Sequence, residues 1–187
     1  MASLRTHCGR VLIALADWTQ RHAATVTAAT VAGILTGGFF YCNRMSDALR
    51  YSDETEYAGI ATNLVAHGCF SLDGVNPTAI RPPGYPALIA TVFRMGLGIF
   101  TVRMLNYFAL ALLIVILFRF LNSHYTPLSA ACGALLIAGY PLYFYTAGTL
   151  FPQTVTSLLF IAALTLAFGA PAPGPRRSIG IGILLAR

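Results

Sequence analysis

Long apolar runs alternate with short polar stretches along this chain, and the runs are long enough to be read as membrane helices. The first, 23–43, carries no charge and can cross a hydrocarbon core of roughly 30 Å. It exceeds a signal-peptide core, and no convincing small-residue cleavage site follows, so it predicts a retained span. Residues 101–121 predict a second span, bracketed by Arg103 and Arg119, whose long stems can carry their charges to the interfaces. Residues 127–145 and 149–169 predict a third and a fourth, with the break marked by Gly139, Pro141, Gly148 and Pro152. After the Pro-rich stretch 171–175 and Arg176 and Arg177, residues 179–187 begin another apolar segment.

The segment 86–100 is shorter, carries Arg94 in its middle and ends among glycines. A charge at the bilayer centre costs at least ~2.5 kcal/mol, so the segment is expected to lie at the outer face as an interfacial or re-entrant helix. The positive-inside rule agrees. A non-crossing 86–100 keeps arginines 5, 10, 21, 119, 176 and 177 on the inner side. Residues 1–22 then form a cytoplasmic N-terminal segment, and 44–100 form one external loop in a transmembrane domain 23–187. The expected fold is all-α and polytopic, with four to five spans and amphipathic juxtamembrane helices in the first external loop.

Within that loop, Tyr57, Ile60, Ala61, Leu64 and Val65 recur at helical spacing and predict an amphipathic helix lying on the membrane surface. Gly68 suits its end. Asp53 is placed at the N-cap with Glu56 at N3, a capping-box pattern. A carboxylate there is either a cap or, beside the bilayer, a general base or cation ligand. The stretch 77–86 holds Arg81 just before a rigid turn of three prolines and a glycine, where it can meet lipid headgroups or a substrate phosphate.

Composition supports the membrane reading. Mean hydropathy is +0.70, and charged residues make up 10% of the chain, against about 25% in a soluble domain. No Asp, Glu, Lys or Arg occurs in 120–175. All twelve basic residues are arginines, scattered singly, which argues against a nucleic-acid partner. Five of the six acids, Asp47, Asp53, Glu54, Glu56 and Asp73, fall in the external loop. The four cysteines lack metal-ligand spacing, so no metal site is assigned; Cys42 and Cys69 share one side of the membrane and read as unpaired before they read as a disulfide. His67 reads as a helix-end residue and His124 as an interfacial one. Tyr140, Tyr143, Phe144 and Tyr145 form an aromatic group fit for an interfacial belt or for stacking on a sugar.

The ordered pair Asp53-Glu54-x-x-Tyr57-x-x-x-Ala61-x-Asn63-Leu64-x-x-His67-Gly68 and Arg81-Pro82-Pro83-Gly84-Tyr85-Pro86 resembles the N-terminal part of the GT-C membrane glycosyltransferases. It is most similar to the protein mannosyltransferase and aminoarabinose transferase-like superfamily, over roughly residues 20–187. The resemblance implies a polyprenyl-phosphate-linked sugar donor and inverting transfer on the extracytoplasmic face of a bacterial inner or plasma membrane. It implies Asp53 as the base, Glu54 as a neighbouring carboxylate that orients the acceptor, and Tyr57, Arg81 and Tyr85 as substrate-binding residues.

Two features depart from the family pattern. Gln153 stands where many relatives carry a second acid, and a neutral amide is neither a base nor a strong cation ligand. A divalent cation is therefore only a minor expectation. Relatives also have more spans, so the chain is expected to be a fragment, with a partner chain as another source of missing spans. The alternative expectation is a non-catalytic membrane subunit or a truncated remnant. A small transporter ranks last, because the spans hold only Thr, Ser, Asn106 and Tyr as polar groups.

Overall fold

The computed structural model describes residues 2–169, and every regular element within them is a helix. In chain order these are α1 (Ala2–Met45), α2 (Ser52–His67), α3 (Gly84–Arg94), α4 (Ile99–His124), α5 (Pro127–Ala138), α6 (Pro141–Ala147) and α7 (Gln153–Phe168). The expectations for 171–187 lie outside the described residues.

Helix α1 begins well before the apolar run, so the polar N-terminal segment is helical and not separate from the span. The two parts meet at a kink on His22 (φ −113°, ψ 17°). His22 Nδ1 lies 2.9 Å from the Trp18 carbonyl. A carbonyl only accepts, so the imidazole proton sits on Nδ1, and the side chain competes for an oxygen of the helical ladder. At the other end Ser46 adopts a left-handed φ of 51° and its N–H reaches the Cys42 carbonyl, which stops the helix.

Two helices are long and apolar enough to cross a membrane: the Ala16–Met45 part of α1, and α4. A third crossing exists if α5 and α6 count as one span bent by 57°. The bend falls at Gly139 and Tyr140, where Pro141 cannot continue the preceding hydrogen-bond ladder. Helix α7 has 16 residues, short of a full crossing among the described residues. The coarse expectation of an all-helical membrane chain therefore stands with two to three candidate spans.

Helix α3 has 11 residues, about 16 Å of helix, so it cannot cross a core of roughly 30 Å. Helices α2 and α3 pack against each other over the end of the spans. Tyr57, Ala58 and Ala61 of α2 meet Tyr85, Ile89, Ala90 and Val92 of α3, with Val102 and Leu150 beneath them. The apolar stripe of α2 is thus spent on protein, which corrects the expectation of a face lying on lipid; Val65, at its far end, stays exposed. A second core joins the spans through Ile34, Tyr107, Leu110, Ile114 and Ala134. There α1 comes close to α4 at Gly38, where a Cβ would lie 2.6 Å from the Tyr107 ring. Cys42 is buried and Cys69 half-buried, both as free thiols.

Candidate functional site

Helix α2 starts two residues earlier than its sequence pattern suggests. Tyr51 is the N-cap and Glu54 the N3 residue, so the expected cap–N3 pair of Asp53 and Glu56 is corrected to Tyr51 and Glu54. Glu54 Oε2 accepts from the backbone N–H of Arg50 at 2.8 Å and of Tyr51 at 3.3 Å. The Tyr51 bond is the reciprocal half of a capping box, and the Arg50 bond fixes the residue just before the helix. Asp53 is left free of capping duty.

One residue on a helix turns the side chain by about 100°, and this separates the two neighbouring carboxylates. Asp53 faces outward with 46% of its side chain exposed, whereas Glu54 points inward with none. Glu54 Oε1 accepts from the Leu150 N–H at 2.9 Å, at the joint between α6 and α7. It also lies 3.7 Å from Arg103, which is equally buried. From this buried position Glu54 anchors the helix start.

From its place in an apolar run Arg103 is expected at the membrane interface. The structure places it inside the protein with no exposed surface. Its two terminal nitrogens donate to the carbonyls of Ser46 and Ala48, at 2.5 and 2.6 Å. Those carbonyls lie just past the last turn of α1. One guanidinium therefore ties α1, α2 and α4 together beneath the site.

On the outer side of α2, Arg81 closes a small ionic cluster. Its Nε donates to Glu56 Oε2 at 2.7 Å and its Nη2 to Asp53 Oδ1 at 2.5 Å. Its carbon centre stands 5.1 Å above the Tyr57 ring, a cation–π distance. Hydrogen bonds donated to Glu56 first and Asp53 second hold the guanidinium's pKa above its ordinary value. The rigid turn at Pro82 and Pro83 leads directly into α3 and so sets where Arg81 stands. Two carboxylates share one cation, and all three groups keep contact with water.

Tyr85 lies edge-on to Tyr57, 5.3 Å between ring centres. Its hydroxyl points into the core and accepts from Asn106 Nδ2 at 2.9 Å, while the same amide donates to the Thr149 carbonyl at 2.8 Å. Burial raises the Tyr85 phenol well above its usual pKa. Of the expected site residues, Asp53 and Arg81 meet at the surface over the buried ring of Tyr57, and Glu54 and Tyr85 lie behind them as support. Glu56 joins the cluster and was legible only as a cap; Asn106 and Arg103 were hidden as ordinary span residues.

Between Asp53 and Glu56 the Arg81 guanidinium fills the place a cation would take. Among the described residues no group of three or more His, Cys, Asp or Glu side chains is arranged to hold a metal ion. The arrangement can exchange an anion for a carboxylate at Arg81, and it can accept a proton at Asp53. Compared with known proteins, the chain matches no family model, no curated protein and no solved structure.

Proposed function

We propose that this chain is a membrane glycosyltransferase of GT-C type that uses a polyprenyl-phosphate-linked sugar as donor on the extracytoplasmic face. The observation that carries the reading is Arg81, held over Tyr57 between Asp53 and Glu56 at the end of two membrane-length helices. The donor phosphate competes with the two carboxylates for the same N–H groups, since charge-assisted bonds to phosphate are of comparable strength. Its arrival at Arg81 releases Asp53.

Asp53 then takes the proton of the acceptor hydroxyl as that oxygen attacks the anomeric carbon. The bond from that carbon to the phosphate oxygen breaks, the configuration inverts, and polyprenyl phosphate leaves with its negative charge against Arg81. In this reading the N-terminus is cytoplasmic and the membrane is a bacterial inner or plasma membrane. In this reading α7 counts as a further span, which brings the described helical set to four.

The experiment is transfer of labelled sugar from a polyprenyl-phosphate donor by the chain in vesicles. Asp53→Asn is expected to lower transfer by about 10²- to 10⁴-fold while membrane insertion is unchanged. Normal transfer by that variant would sink the reading.

A further inference from the structure

Beside the start of α2 lies a half-open cavity of about 420 Å³, walled by Tyr140, Tyr143, Tyr145, Phe151, Gln153 and Ser157. Small-molecule sites fall in the range of about 300–1,000 Å³. No charged residue lines this one. Its walls are ring faces and edges, with Tyr140 and Tyr143 at 5.9 Å in an edge-to-face pair. Its polar groups are all neutral: the Gln153 amide and the hydroxyls of the three tyrosines, Thr146 and Ser157, with those of Tyr143 and Ser157 bonded to each other at 3.1 Å.

We infer that this cavity receives a neutral sugar ring, an inference that rests on the glycosyl-transfer reading and names where the ring of donor or acceptor sits. A pyranose has an apolar C–H face, which suits aromatic walls, and a rim of hydroxyls, which needs neutral donors and acceptors. An amide supplies both kinds of group at once. An anion would find no cation in this cavity, and a lipid tail would leave the amide and the hydroxyls without use.

The cavity is coupled to the ionic cluster. The Tyr145 hydroxyl is hydrogen-bonded to the hydroxyl of Tyr51, the N-cap of α2. Phe151 packs 5.7 Å from the Tyr51 ring. Asp53 follows Tyr51 by two residues, and Glu54 fixes the same helix start to the Leu150 N–H beside Phe151. The neutral Gln153, a departure from the acid expected there, becomes a group suited to hydroxyls.

The test is saturation-transfer NMR on the full chain in nanodiscs, with the methyl glycosides of mannose and arabinose as probes. Ring protons are expected to take up saturation from the wild type. Gln153→Leu and Tyr140→Ala, both at exposed positions, are expected to weaken binding about fivefold, the net worth of one hydrogen bond or one aromatic contact, with helicity unchanged. Displacement of the probe by polyprenyl-phosphate-linked sugar, and not by sugar-free polyprenyl phosphate, assigns the ring to the donor; displacement by an acceptor glycoside alone assigns it to the acceptor. Equal saturation in the wild type and both variants overturns the proposal, as does displacement by the sugar-free lipid, which marks a lipid groove. Variant-sensitive sugar binding in a chain that transfers no sugar keeps the cavity and removes the transferase reading. Transfer by both variants at wild-type KM does the reverse.

Discussion

Glu54 and Arg103 face each other 3.7 Å apart with no exposed side-chain surface on either. Each also satisfies backbone groups that no helix serves: the N–H groups of Arg50, Tyr51 and Leu150 on one side, and the carbonyls of Ser46 and Ala48 on the other. Removal of one partner from a buried pair leaves an uncompensated charge and costs about 3–5 kcal/mol. Glu54→Gln and Arg103→Met are each expected to lower stability by that order in a denaturant titration of the detergent-solubilised chain. A wild-type midpoint for either variant would show that the pair carries no stability.

Arg81 forms the contrasting pair. Its contacts with Asp53 and Glu56 are in reach of water, where such pairs are worth about 0–1 kcal/mol. Arg81→Gln is therefore expected to leave the unfolding midpoint nearly unchanged. Loss of a charged donor at the leaving phosphate is expected to lower kcat by about 10²- to 10³-fold. A variant that unfolds early and transfers normally would assign Arg81 to the fold alone.

Asp73 organises the loop between α2 and α3. Its carboxylate accepts from the Asn76 amide and from the N–H groups of Val75 and Asn76, and these hold its pKa at about 2, below the ordinary 3.8. A depressed carboxylate contributes order that is complete above its unfolded value and is lost as pH falls through its folded one. Amide exchange at Val75 and Asn76 is expected to keep its protection down to pH about 4 and to lose it toward pH 2. Asp73→Asn should remove that pH dependence; protection that still falls over the same range in the variant would point to another group.

Gly38 is the contact point of α1 with α4. A methyl group there would meet the Tyr107 ring at 2.6 Å, and overpacking of a filled core costs about 1–3 kcal/mol. Gly38→Ala should lower the thermal midpoint in detergent, and Gly33→Ala, with nothing within 4 Å of its Cβ, should not. Equal midpoints for the two would mean that the helices separate without loss.

Hydropathy alone locates α1 and α4, because a run of apolar side chains long enough to cross a bilayer has few soluble alternatives. Length and Arg94 likewise keep 86–100 from crossing, in accord with the 11 residues of α3. Spacing also finds α2 and its end at Gly68, where the left-handed φ of 66° favours glycine. The start of α2 is less legible. Asp53 and Glu54 both suit a first turn, and only the partners of Glu54, which come from Leu150 and Arg103 far along the chain, decide which carboxylate turns inward.

Local pattern thus determined a helical chain with membrane-length apolar runs and an acidic loop between the first two, and it marked Asp53 and Arg81 as residues to watch. Tertiary structure decided what those residues touch. Periodicity records which side chains avoid water, and it cannot separate contact with lipid from contact with another helix. That is why the α2 stripe and Arg103 were both assigned to the membrane surface and both proved to face protein. Long-range contacts made the rest: Arg81 onto Asp53 and Glu56, Glu54 onto Arg103, and Tyr145 onto Tyr51.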